Sequence, residues 1–249
     1  MKRFGLVGYP LTHSFSEAYF NNKFRSLGIE ASYRAFPLES LSLFHDLLDS
    51  EGPFTGLNVT MPYKEKIVDH LDDIDSSAKE TGAVNLVKFV TRGFETRLIG
   101  YNTDLFGFSE SLRFYSITPV KRALILGTGG ASRAVSYALR NGGADITLVS
   151  RTQARGDMCY SDLNSSDIGQ FDLIVNTTPA GTFPHIEEFP DIPYDGLNPA
   201  TTLYDLVYNP AETVFLKRGI EKGCKTINGL KMLYLQAEKG WEIWNSVNP

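Results

Sequence analysis

The chain has 249 residues, of which 42% are hydrophobic and 21% charged; this is enough apolar content for one large or two smaller folded domains and too much for a disordered chain. A formal net charge of −5, from 24 lysines and arginines against 29 acids, gives no bulk attraction to nucleic acid or to an anionic membrane. The two cysteines, Cys159 and Cys224, make neither a disulfide framework nor a metal cluster, so no metal site is expected.

The opening MKRFGLVGYP starts basic, but glycine and proline interrupt any leader-like apolar run. No stretch approaches membrane-spanning length, and the expected setting is a reducing cytoplasm. Residues 3–8 read as a buried strand, 16–28 as a helix stopped by glycine, 31–36 as a strand and 41–50 as a helix. In LNVTMPYKE, Leu57 and Val59 alternate with Asn58 and Thr60 as in a half-buried strand, and Pro62 suits the first position of a helix. Lys64 would then sit in that helix's first turn, where a cation faces the positive end of the macrodipole at a cost of roughly 0.3–1 kcal/mol. Further helix is expected at KEKIVDHL and SAKETG, then strands at 83–90 and 96–102. Alternation of this kind predicts an α/β layer structure on a mixed or largely parallel sheet.

A second unit begins near Asp104, with DLFGFSESLRFY as a connecting helix. KRALIL, GTGGASRAVSYALRNGG and ADITLVSR then follow as strand, glycine turn with helix, and strand, the first βαβ of a dinucleotide-binding fold. Gly127 permits the turn, Gly129 lets backbone approach a pyrophosphate, and Gly130 with Ala131 keeps the helix start uncrowded, although Ser132 occupies the last glycine place of the fingerprint. At the end of the next strand, VSRTQAR has no acid to contact a ribose. Arg151 and Arg155 can pair with a 2′-phosphate, and Ser150 and Thr152 can donate to it, which points to NADP.

Strands are also expected at 171–176 and 202–208, and Asn209, Pro210 and Glu212 open a helix running to Gly219. The final helix carries Leu230, Leu233, Tyr234, Ala237, Trp241 and Trp244 at helical spacing, a core stripe with Gln236 at its edge. Between Arg155 and Phe171 the chain is short for a crossover and weakly periodic, so its helix is expected to be reduced or missing.

Polar groups in the first unit gather where strands end: His13, Ser14 and Ser16 after the first strand, Asn58 and Thr60, Asn85, and Asn102 with Asp104. Singly, several read as helix caps. Together they suit a pocket for a small ligand with many hydroxyls.

With HSFS, NVTMPYK, TGAVN, GYNTD, GTGGAS, SRT, NTTPAG, DLVYNP and GLKMLYLQA in this order, the chain resembles the shikimate dehydrogenases over almost its whole length. The resemblance implies an N-terminal α/β substrate domain of residues 1–103, completed by 231–249. It also implies a Rossmann-like, doubly wound NADP-binding domain of residues 104–230, with the active site in the cleft between the two. The activity implied is reversible, NADPH-dependent reduction of 3-dehydroshikimate to shikimate, toward aromatic amino acids, in a monomer or homodimer. Near alternatives are a quinate/shikimate dehydrogenase and a non-catalytic ligand sensor.

Matched motif by motif, the resemblance puts Ser14 and Ser16 on the substrate carboxylate, and Thr60, Lys64, Asn85, Asp104 and Gln236 on its ring oxygens, with Tyr208 a further contact. For NADP it implies Gly127, Thr128, Gly129, Gly130, Ala131, the 151–155 segment, Thr177, Thr178 and Leu206, with Gly229 and Met232 near the nicotinamide. Lys64 and Asp104 would be the acid/base pair, since a carbonyl accepting hydride gains negative charge on oxygen and an ammonium can stabilise and protonate it. Two departures stand out: Glu17 where the family usually has proline, and SRT in place of NRT.

Overall fold

A computed structural model describes residues 1–11 and 15–246. The chain divides into two compact units, Met1–Thr103 with Ala237–Pro249, and Asp104–Gln236.

The first unit contains β1 (Lys2–Gly8), α1 (Phe15–Leu27), β2 (Ala31–Pro37), α2 (Phe44–Glu51), β3 (Gly56–Val59), β4 (Asp73–Ile74), α3 (Ser76–Thr81), β5 (Leu86–Arg92) and β6 (Glu95–Tyr101). They form one mixed sheet in the order β2-β1-β3-β5-β6-β4. β1 runs parallel to β2 and β3, and β5 antiparallel to β3 and β6. Because β3 is central, every residue in it is buried, so the half-buried strand expected from its alternation is corrected. Leu57 and Val59 enter a core with Val7, Phe44, Phe54, Ile67 and Val87. A second cluster of Phe4, Phe20, Phe24, Tyr33 and Leu86 is closed by Ala237 and Trp244 from the C-terminal helix. Trp244 Nε1 donates to Val87 O at 3.1 Å, and a Cβ on Gly56 would fall 2.0 Å from that nitrogen, so the helix can lie this close only over glycine.

The helix expected from Pro62 does not form there. A 3₁₀ turn spans Lys66–His70, and Lys64 precedes it in a turn. The Tyr63 amide donates to Thr60 O, while Lys64 O accepts the amide of Val84 at 2.7 Å, so this carbonyl is drawn to a neighbouring segment. The macrodipole argument for Lys64 falls with that helix.

The second unit contains α4 (Thr103–Phe114), which starts at the boundary, then β7 (Arg122–Leu126), α5 (Gly130–Asn141), β8 (Asp145–Ser150), β9 (Met158–Cys159), α6 (Ser165–Ile168), β10 (Leu173–Asn176), β11 (Thr202–Asp205), α7 (Val214–Glu221) and β12 (Lys225–Ile227). α8 (Leu230–Asn245) runs on into the first unit. The strands make an all-parallel sheet, β9-β8-β7-β10-β11-β12, whose order reverses between β7 and β10, as in a doubly wound dinucleotide fold. The four residues each of β10 and β11 are all buried, as helices on both faces require.

Two helices differ from the sequence expectation. α7 begins at Val214 rather than at Asn209 to Glu212, because Thr213 is the cap and accepts the amide of Leu216. On α8 the buried residues are Met232, Gln236, Ala237, Gly240 and Trp244, while Leu230 and Tyr234 are exposed; the core stripe is rotated, and Gln236 lies inside it. The short crossover is reduced as expected: residues 151–170 hold a 3₁₀ turn, the two-residue β9, a second 3₁₀ turn and the single turn of α6.

Candidate active site

At the end of β7 the chain enters the glycine turn. Gly127 has φ +106°, and a Cβ there would meet Thr177 Oγ1 at 2.8 Å, so this position requires glycine. Gly129 is extended, and a Cβ on it would meet nothing within 4 Å, which leaves an open cradle over the start of α5. The first turn of α5 carries no acid, and its leading N–H groups have no acceptors within the helix. Ser132 Oγ donates to Gly129 O at 2.6 Å and closes the turn, and Thr177 donates from both N and Oγ1 to Leu126 O at 2.9 and 2.7 Å. The cradle sits at the switch point of the sheet and fits the pyrophosphate of a dinucleotide.

After β8, Ser150 is buried and its Oγ accepts the amide of Thr152 at 3.3 Å. Arg151, Thr152 and Arg155 are exposed on the short link to β9. Burial pushes the Tyr160 hydroxyl up in pKa, and the positive charge of Arg151 offsets part of the rise.

At the ends of β10 and β11 lies a buried polar knot. Asn176 Oδ1 accepts from Thr178 N and Oγ1 at 3.0 and 2.6 Å, and its Nδ2 donates to Asp205 Oδ1 at 2.9 Å. Asp205 also accepts from Val207 N at 3.0 Å and from the Thr213 hydroxyl. Burial raises its pKa to about 6, against the pull of these three donors. Asn176 and Asp205 open the motifs NTTPAG and DLVYNP but are given no role by the sequence, although an acid inside the apolar run TLYDLVY signals a buried carboxylate. Leu206 N donates to Asn176 O, Tyr208 is half-buried with its hydroxyl pKa raised by burial, and Gly229 is pressed against Leu206, where a Cβ would fall 2.1 Å from the carbonyl oxygen. Met232 packs in the core cluster with Tyr204 and Ile125.

In the first unit, Ser14 lies outside the described residues, as does His13. Ser16 is in the first turn of α1, half-buried, near enough to the buried Tyr33 hydroxyl to offset part of the rise that burial causes in its pKa. Tyr33 in turn donates to Asn58 Oδ1 at 2.7 Å, and Asn58 Nδ2 donates to Asn85 O at 3.2 Å. Asn85 Oδ1 accepts the amide of Thr103 at 2.7 Å and its Nδ2 reaches Thr103 Oγ1 at 3.0 Å, which fixes the chain where α4 starts and Asp104 follows. Asp104 is buried within that helix's first turn, Thr60 is half-buried with its amide on Val7 O, and Lys64 is half-buried in its turn. Glu17, at the family's proline position, accepts the amide of Ala35 on the edge strand β2.

A family model for the shikimate dehydrogenase substrate binding domain matches residues 6–87, all within the first unit. The shikimate dehydrogenase (NADP(+)) of Carboxydothermus hydrogenoformans is 38% identical over 261 residues, covering 98% of this chain and 92% of the relative. That of Methanococcus maripaludis strain C6 is also 38% identical, covering 100% and 93%. The chain belongs to the shikimate dehydrogenase family. Among solved members, the shikimate 5-dehydrogenase of Thermus thermophilus, in complex with NADP(H) and shikimate, superposes with a TM-score of 0.87 at 34% identity, over 100% of this chain and 95% of the other. The family resemblance carried by the nine motifs therefore holds over the full length. Among the described residues no group of three or more metal-ligating side chains occurs, and no helix is long and apolar enough to cross a membrane.

Proposed function

We propose that this chain is an NADP-dependent shikimate dehydrogenase, reducing 3-dehydroshikimate reversibly to shikimate. The observation that carries the reading is the open glycine cradle at the sheet's switch point, on a chain matched end to end by NADP-dependent members of the family. NADPH, when bound, supplies the hydride. Gly127, Thr128, Gly129, Gly130 and Ala131 hold its pyrophosphate through backbone N–H groups, and Arg151 and Arg155, with Ser150 and Thr152, bind the 2′-phosphate. Thr177, Thr178, Leu206, Gly229 and Met232 frame the nicotinamide side.

Ser14 and Ser16 bind the substrate carboxylate, and Thr60, Asn85, Tyr208 and Gln236 its ring oxygens. The Thr103 amide, which can only donate, fixes the Asn85 oxygen as the end it meets, so in the proposed role the Asn85 Nδ2 end is the donor. As the carbonyl carbon accepts hydride, negative charge grows on oxygen; the Lys64 ammonium stabilises it and delivers the proton, leaving a neutral amine. Asp104 is the lysine's acid/base partner in this reading and orients it. In the reverse direction the amine takes the hydroxyl proton.

The setting we propose is the cytoplasm, where the two free thiols, Cys159 and Cys224, are at home, and the place in metabolism is the supply of aromatic amino acid precursors. Steady-state oxidation of shikimate with NADP and with NAD in parallel tests the reading. Turnover with NADP strongly preferred is expected, and absence of turnover with either nucleotide overturns it.

A further inference from the structure

The carboxylate of Asp205 has no place in the chemistry above, yet it joins two loops that do. The first, residues 177–181 after β10, carries Thr177 and Thr178; the second, residues 206–213 after β11, carries Leu206 and Tyr208. We propose that Asp205 is a positioning residue that couples these loops, so that the cofactor groups on one and the substrate-facing Tyr208 on the other are set together. The inference rests on the roles assigned to those loops under the proposed function.

The bonding is directional. Asp205 is fully buried and offers acceptors only, so each neighbour must turn a hydrogen toward it. Asn176 is thereby forced to point Nδ2 at Asp205 and at Ala180 O, 2.9 and 3.3 Å away, which leaves Oδ1 to face the first loop. There it accepts both the amide and the hydroxyl of Thr178, and Thr178 Oγ1 accepts the amide of Ala180 at 3.3 Å. The amide orientation of Asn176 is therefore dictated by the charge behind it. On the other side, the amide of Val207 and the hydroxyl of Thr213 fix the two ends of the second loop on the same carboxylate. Thr213 also caps α7, so the hydroxyl ties that helix into the knot. Backbone contacts close the pair: Phe183 N donates to Asn209 O at 3.1 Å, and a Cβ on Gly181, where φ is +91°, would lie 3.3 Å from Thr213. Moving either loop requires breaking bonds that orient the other.

The test uses the full-length protein carrying Asp205→Asn, Asn176→Ala, both together, and the milder Thr213→Val. Measured are the Kd of NADP by equilibrium titration, KM and kcat with shikimate, thermal unfolding, and amide hydrogen exchange of both loops without nucleotide. In Asp205→Asn we expect the NADP Kd and the shikimate KM to rise together by roughly 5-fold or more, with faster exchange in both loops at temperatures well below unfolding. The double variant should be no worse than the poorer single one, because both changes cut one link. Thr213→Val should show smaller shifts of the same kind, and it carries the test if Asp205→Asn does not fold. A lower melting temperature with unchanged Kd and KM would make Asp205 a purely structural residue and overturn the proposal, as would additive effects in the double variant. If the wild type binds NADP without oxidising shikimate, the proposed function has failed, while the Kd and exchange arms still decide the coupling.

Discussion

Lys64 sits in a turn whose geometry is set by contacts of its own backbone, so its side chain is not needed to build that turn. Lys64→Ala should accordingly fold normally and lose roughly 10²–10⁴ in kcat, the contribution of a general acid. Retention of more than about a third of wild-type turnover would remove the lysine from the mechanism. Arg151 is exposed on the link after β8, and Arg151→Ala should weaken NADP about 10- to 150-fold, the range for a hydrogen bond to a charged group, while hardly affecting NAD. Equal wild-type affinities for the two nucleotides would show that the arginines do not read the 2′-phosphate. In the role proposed for it, Ser16 contacts the substrate in both ground and transition states, so Ser16→Ala is expected to raise KM for shikimate with little change in kcat. A stable variant with an unaltered KM counts against the carboxylate assignment.

Between β8 and β9 only seven residues, 151–157, link two parallel strands, where such a connection ordinarily takes a dozen or more and a helix. The arginines lie on this tight link, with a 3₁₀ turn at Gln153–Arg155 and the Asp157 side chain accepting the amide of Leu148 at 2.8 Å. A short link held at its far end limits how far the cationic side chains can stray. At the junction of β12 and α8, Gly229 touches the Leu206 carbonyl so closely that any side chain must push the loop away. Gly229→Ala should destabilise by roughly 1–3 kcal/mol, as overpacking does, and weaken NADP because Leu206 moves. Thermal unfolding and nucleotide titration check this, and wild-type values in both would show that the loop yields freely.

The stability of the second unit should carry a signature of its buried acid. With the folded pKa of Asp205 raised to about 6 from 3.8, the folded chain holds more protons than the unfolded one between these values. The group's contribution is therefore most favourable below the unfolded value and is lost as pH rises through the folded one. Asp205→Asn lacks that slope. Across pH 4 to 7, wild-type stability should fall relative to the variant by at most about 3 kcal/mol, read from denaturant unfolding at each pH. Parallel curves would mean that the three donors hold the carboxylate ionised throughout. The same acid thus opposes folding near neutrality while orienting the loops, a pattern expected where local order is kept at some expense of stability.

The longer elements of both units, the βαβ with its glycine turn, the basic segment after β8 and the reduced crossover were legible from local patterns, because turn glycines, caps and periodicity act over a few neighbouring residues, whereas the short strands β4, β9 and β12 were not. Local pattern also gave the cofactor turn and a polar cluster suited to a small ligand, and the family motifs added roles for individual residues of that cluster. Tertiary contacts decided the rest. β3 is buried on both faces because β1 and β5 flank it and clusters cover each side, a fact its alternation of Leu57 and Val59 with polar residues could not convey. Lys64 left its expected helix because Val84, twenty residues on, takes its carbonyl, and α7 starts late because Thr213 meets Asp205. The knot of Asn176, Thr178, Asp205 and Thr213 joins residues up to 37 positions apart, and hydrogen bonds over such separations leave no periodic trace in the chain.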